Sequence, residues 1–229
     1  MADLLKIGVL PLFLTLGAYQ IGLWCQKKLK TAIANPILIA MLLILVFMLL
    51  TGFRNADYQA GMKLISWLLT PATVCLAIPM YQQLQILRKN WAAVLTGIAT
   101  GAISCLFMVL LVAALFHFDD ALTASLLPKS VTSAIGVPLA EMADGILAIT
   151  TSVIVLTGIT ANVLGGICCK LLRITDPIAQ GVAFGTSGHV IGTAKANEIS
   201  QLAGAVSSLS LVVAGLLTAV IFPLIIPLI

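Results

Sequence analysis

Between two long apolar runs, residues 185–198 read GTSGHVIGTAKANE: three glycines, two threonines, a serine, a histidine, a lysine and a glutamate. An imidazole, hydroxyls and an ammonium so close together suit recognition of a small anion. At about 100° per residue, His189 and Thr193 share a helix face, Lys195 falls about 120° away, and Glu198 lies opposite His189. One unbroken helix cannot make them converge. A break near Gly192 lets His189 and Thr193 face a cavity while Lys195 and Glu198 pair three residues apart. Gly181, Gly185, Gly188 and Gly192 recur at helical spacing, so the segment also reads as a close-packing seam. A seam alone does not account for the ionisable groups. A charge at mid-bilayer costs roughly 2.5–3.5 kcal/mol on insertion scales. Lys195 and Glu198 therefore need each other, water, or a place at the membrane interface.

A second polar stretch, PKSVTSAIGVP (128–138), sets Lys129, Ser130, Thr132 and Ser133 between Pro128 and Pro138. Proline suits the first turn of a helix, so a half-helix starting at Pro128 would aim free N–H groups at an anion. Lys129 would add a full charge. The alternative is an interfacial loop whose lysine reaches water or lipid phosphate. A third stretch, LLTPATVCLAIPMY (68–81), places Pro71 and Pro79 in one apolar run, with Thr70 and Thr73 beside the first. It reads either as a kinked span or as an interrupted one.

These groups need a scaffold, and composition says which kind. Mean hydropathy is +1.16, with 61% hydrophobic and 9% charged residues, far from the balance of a soluble domain. Apolar runs of about 20 residues match a bilayer core, and no strand-like alternation is present. The expected fold is all-α and polytopic, one transmembrane domain over residues 1–229. Six spans are expected near 7–25, 34–52, 61–81, 91–117, 146–169 and 202–228. The segments 119–145 and 176–201 are too apolar for solvated loops and too interrupted for a normal pair of spans. Both are expected to be re-entrant or broken helices entering from opposite sides, a pattern that points to transporter sites. A weak likeness between 57–81 and 176–201 raises the idea of an inverted repeat.

Orientation follows from the basic residues. Lys27, Lys28, Lys30, Arg88, Lys89, Lys170 and Arg173 fall on one side if six spans alternate, which places both termini outside the cytoplasm. The charges flank spans and form no nucleic-acid patch. The N-terminus lacks a basic leader and a small-x-small site, so it reads as a retained first span. Trp24 before Cys25 does not suit lipid attachment. The five cysteines lie in or beside apolar runs without metal-ligand spacing and read as buried small hydrophobes. His117 reads as interfacial. No HExxH, GxSxG or Walker lysine loop occurs, so neither an enzyme nor a cofactor or metal is expected.

LLTPATVCLAIPMY, PKSVTSAIG and GTSGHVIGTAKANE, in that order, resemble the CidB/LrgB family of bacterial membrane proteins. The third motif, Gly185 to Glu198, is the most specific, and the resemblance spans nearly the whole chain. Length and span pattern look like an enterobacterial inner-membrane member. One departure is Ala134, where many relatives have a proline. The resemblance implies two functions. One is antiholin- or holin-like regulation of murein hydrolase export and lysis with a small LrgA/CidA-type membrane protein. The other is transport of small carboxylates such as glycolate, glycerate, pyruvate or lactate, as in the plastid glycolate/glycerate translocator, whose one half is LrgB-like.

The residues themselves favour transport by alternating access. Lys129, Ser130 and Thr132 would hold the carboxylate, and His189 and Thr193 would contact the rest of the substrate. His189 would couple a proton, since imidazole titrates near pH 6.5. Thr70, Thr73, Gly185, Gly188, Gly192, Lys195 and Glu198 would support them. The expected partners are a small organic anion, the LrgA/CidA-type protein, membrane lipid and a second copy in a dimer, with no nucleic acid.

Overall fold

The computed structural model describes residues 9–29, 35–75, 77–82 and 84–228. The start of the first expected span, Lys30, Ala34, Leu76 and the side chains of Thr70, Thr73 and Pro79 lie outside that description. The described residues are helical, with no strands among them. They form two compact units, Met1–Cys75 and Leu76–Ile229.

In the first unit, α1 (Leu10–Leu29) packs on α2 (Pro36–Thr51), followed by α3 (Asn55–Gly61) and α4 (Lys63–Cys75). Asn35 starts α2 by accepting from the Ile37 and Leu38 amides, with Pro36 in the first turn where its missing N–H costs nothing. Gly52 ends it at φ 65°, a conformation open to a residue without Cβ. Gly22 lets α1 approach the Pro36 backbone: a Cβ there would stand 2.9 Å from Pro36 Cα. Thr15 Oγ1 and the Tyr58 hydroxyl, 2.7 Å apart, join α1 to α3.

The second unit holds α5 (Ala77–Gln82), α6 (Leu84–Lys89), α7 (Trp91–Phe116), α8 (Asp120–Leu126), a 3-10 turn (Leu127–Ser130), α9 (Ser133–Met142), α10 (Leu147–Leu171), α11 (Pro177–Ile199) and α12 (Gln201–Ile225). A last 3-10 turn spans Ile226–Leu228. Among the described residues α7, α10 and α12 are the three helices long and apolar enough to cross a membrane. Their 25 or 26 residues give about 38 Å of helix. They match the expected spans 91–117, 146–169 and 202–228. The 34–52 run became the shorter apolar helix α2, and 7–25 became α1. The 61–81 run is shared between α4 and α5, which belong to different units.

Two helical hairpins set the geometry of this unit. Asp119 caps α8 by accepting from the Leu122 amide at 2.8 Å. The chain then turns through Leu127–Ser130 and leaves along α9. The half-helix therefore starts at Ser133 rather than at Pro128, because Val131 and Thr132 are extended (ψ 174° and 151°). The β-branched pair accommodates that conformation more readily than helix.

The second hairpin is α11 itself. Asp176 caps it by accepting from the Ala179 amide at 2.8 Å, and Pro177 fills the first turn. Halfway along, His189 takes φ 40°, ψ −134°, and the helix folds back on itself. Ala196 shares a buried cluster with Phe184, whereas twelve residues of straight helix would hold them about 18 Å apart. Gly192 closes the fold, since a Cβ there would overlap the Phe184 carbonyl. The break thus lies at His189, three residues before the glycine where it was expected. Gly192 serves the close approach between the arms, and the histidine makes the turn.

Candidate functional site

Both hairpin tips meet the middle of α10. From the start of α10, where Ser125 Oγ accepts from the Ile146 amide at 2.6 Å, the first hairpin reaches inward. A Cβ at Gly136 would stand 2.7 Å from Ile154 Cδ1, and Lys129 lines one cavity with Leu156 and Thr157. The second hairpin arrives from the other end, where Cys169, Ile174, Phe184 and Ala196 pack together. Its tip reaches Ile154 and Gly158 through His189.

His189 is 5% exposed. Its Nε2 lies 2.9 Å from the Ile154 carbonyl, and a carbonyl only accepts, so the Nε2–H donates and that tautomer is fixed. The ring lies against Gly158, where a Cβ would stand 2.6 Å from Cε1. Two residues after His189, the Ile191 carbonyl accepts from Asn162 Nδ2–H at 3.0 Å. On the other flank Thr193 Oγ–H donates to the His189 carbonyl at 2.9 Å. Thr193 has one hydrogen, so the 2.8 Å contact with Ser207 Oγ has the serine as donor. The tip is clamped between α10 and α12 and its polar groups are satisfied within the protein.

Between α10 and the first arm of α11 lies a cleft of about 540 Å³. It runs from Leu172 and Ile174 along α10 to Leu156, about 24 Å of helix. Its walls are mostly apolar, and Gly165 leaves room for the Phe184 ring. Toward mid-helix come Thr160, Thr157, Ser187 and Lys129. Lys129 is half-buried and donates to Ser130 Oγ at 3.2 Å. Among the described residues no carboxylate lies within 4.0 Å of it.

Residues 15–228 match the LrgB-like family. The chain belongs to that family. Antiholin-like protein LrgB of Bacillus cereus is 36% identical over 214 residues, covering 93% of each chain. The protein of the same name from Bacillus anthracis matches at the same 36% identity and 93% coverage. No solved structure matches.

In this LrgB-like chain the residues expected to bind substrate fall into separate places. Lys129 lines the cleft. Ser130, 8% exposed, instead borders a small void of about 10 Å³ beside Thr186 and Thr218. Thr132 is the N-cap residue of α9, and its side chain makes no capping bond. His189 and Thr193 do not line the cleft. Gly185 of α11 packs against Ser207 and Ser210 of α12, and Gly188 lies 2.5 Å, by its built Cβ, from Ala161 Cβ. Of the cysteines Cys169 is buried, while Cys75 and Cys168 are exposed. His117 is the exposed left-handed cap of α7 at φ 53°.

Thr157, Thr160 and Asn162 were missed by sequence reasoning. All lie inside an ordinary-looking apolar span, TSVIVLTGITANV, and the only signal was an unusual density of hydroxyls on it.

Lys195 Nζ and Glu198 Oε2 are 2.6 Å apart, as expected if the helix breaks, with the side chains 33% and 58% exposed. A pair this open to solvent contributes little. Glu198→Gln is expected to change stability by no more than about 0.5 kcal/mol, read as an unfolding midpoint in detergent.

Proposed function

We propose that this chain acts as an antiholin-like membrane protein, restraining murein hydrolase export and lysis together with a small LrgA/CidA-type membrane protein. The identity of 36% over 93% of both chains carries this reading: the whole fold, not one motif, is shared with proteins of that name. Of the two functions expected from the sequence, the relatives' names favour this one over transport.

The proposed setting is the bacterial inner membrane, with one multi-pass domain and both termini on the periplasmic side. In it α8–α9 and α11 are re-entrant hairpins from opposite faces. The approach of their tips to α10 from opposite ends supports that arrangement, as does the return of α11 to the side of Lys170 and Arg173. Irregular backbone at Val131, Thr132 and His189 is tolerable at depth because protein surrounds it.

A second reading, a carrier of small carboxylates, is favoured by one observation. Lys129 is half-buried on the wall of a cleft that also carries hydroxyls, and no carboxylate among the described residues lies within 4.0 Å of it. A cation so placed favours an anion more than a lysine in water does.

Reconstitution into liposomes separates the readings. With an inward proton gradient, uptake of labelled glycolate, glycerate, pyruvate and lactate is measured beside leakage of a bulky dye, with and without the small partner. Modulation of partner-dependent dye leakage, without saturable uptake, is expected for the antiholin-like protein. Saturable uptake with the dye retained would replace that reading with the carrier.

A further inference from the structure

We propose that the outer stripe of α1, ending in Trp24, Lys27 and Lys28, is a docking site for an anionic phospholipid of the surrounding membrane. The site is independent of whether the chain regulates lysis or carries a solute.

α1 has two faces. Pro11, Ala18 and Gly22 are buried, and Gly22 meets the Pro36 backbone where α2 begins. Roughly opposite, at about 100° per residue, Phe13, Leu16 and Trp24 are 66%, 54% and 62% exposed. Gln20 interrupts that stripe, and the exposed Lys27 and Lys28 end it. From Phe13 to Trp24 is about 16 Å of helix, the depth of one leaflet's hydrocarbon when the whole core is about 30 Å. An acyl chain fits along it.

The contact with α2 marks where the apolar layer stops. α2 carries no charge and starts level with Gly22, so Lys28 stands about 9 Å of helix beyond that start. There the Lys28 Nζ lies 4.9 Å from the centre of the Trp24 ring. An indole at the level of the lipid backbone with an ammonium above it suits a phosphate headgroup.

Charge sets the selectivity. No acidic residue occurs on α1 or α2, and neither lysine meets a carboxylate among the described residues. The half-charge of the helix C-terminus offsets less than one of the two ammonium groups. A lipid whose phosphate is its only charge is therefore held, whereas the amine of a zwitterionic lipid finds no partner.

Fluorescence of the full chain in vesicles of phosphatidylglycerol and phosphatidylcholine tests this. Trp67 and Trp91, 72% and 64% exposed, are replaced by Phe so that Trp24 alone reports. Bromine is carried on the acyl chains of one lipid or the other, and Trp24 quenching is compared. Each lysine near an anionic headgroup is worth about fivefold, so Trp24 should prefer phosphatidylglycerol about tenfold or more. Lys27→Gln with Lys28→Gln should bring the preference close to one, and Lys28→Arg should keep it. Lys63→Gln should leave it unchanged: its neighbour Met62 has Sδ 3.6 Å from Thr15 Oγ1, about 18 Å of helix from Lys27. Equal quenching by the two lipids in the parent chain, or a preference that survives the double substitution, would overturn the site. An equal loss in Lys63→Gln would overturn it too, since surface charge in general would then sort the lipids.

Discussion

Gly185→Val is expected to detach α11 from α12 and lower the unfolding midpoint in detergent by about 10 °C, on the basis of about 3 kcal/mol of overpacking. A Cβ at Gly185 would overlap the Ser207 carbonyl and stand 2.6 Å from Ser210 Cβ; one at Gly181 would stand 2.6 Å from the Ala203 carbonyl. The obstacle is backbone, which cannot rotate away as a side chain can. Valine adds further carbons where α12 runs, so the first arm must move bodily. The clamp at Thr193 and Ser207 would be pulled apart with it. Gly166→Ala serves as the comparison, since nothing lies within 4 Å of its built Cβ. That substitution should stabilise α10 by up to about 1 kcal/mol through helix propensity. Size-exclusion profiles after stepped heating read both. Equal behaviour of the two variants would remove the seam from the account of this fold.

That seam was legible in the sequence because it has a period. Gly181 and Gly185 repeat at helical spacing and face α12, the use small residues at that spacing have in lipid, whereas Gly188 meets Ala161 of α10 and Gly192 the hairpin's own first arm at Phe184. The long spans were legible for a similar reason: length and hydropathy set α7, α10 and α12 to within about three residues at each end. The pairing of Lys195 with Glu198 followed from a break in the helix, and the break followed from the crowding of polar groups.

Its position did not. A glycine is the residue expected at a left-handed turn, yet the turn falls on His189 and Gly192 is spent on the contact with Phe184. Sequence shows which residues tolerate an unusual backbone, while tertiary packing decides which of them adopts it. The separation of His189 from Lys129 was hidden in the same way. Both tips reach the middle of α10, but one presents a ring to a backbone carbonyl and the other presents an ammonium to a cleft. That difference depends on Ile154 and Gly158, two unremarkable residues of an apolar span. Thr157 was invisible for a related reason: whether a hydroxyl on an apolar span is committed to its own backbone is a matter of rotamer, which no spacing encodes.

The second large effect concerns the lock at the hairpin tip. Gly158→Ala is expected to destabilise the protein by about 2–3 kcal/mol, because the new methyl would occupy the place of the His189 ring. The displaced imidazole would lose the Ile154 carbonyl, leaving a buried donor without its partner. His189→Ala should cost a similar amount, since it loses the same bond and keeps a side chain at φ 40°, ψ −134°. His189→Gly loses the bond but relaxes that backbone, so it should be the more stable by about 1 kcal/mol.

The decisive variant combines the two sites. With no ring to displace, Gly158→Ala in the His189→Gly background should cost well under half of what it costs in the wild-type chain. Additive effects would mean that ring and glycine do not share one site. Function divides along the same line. If His189 only positions the hairpin, partner-dependent dye leakage or solute uptake should follow stability across His189→Gly, His189→Ala and Gly158→Ala. If the imidazole carries protons, His189→Gly should lose proton-driven uptake while holding its fold, and Gly158→Ala, which retains the ring, should keep a measurable share of it.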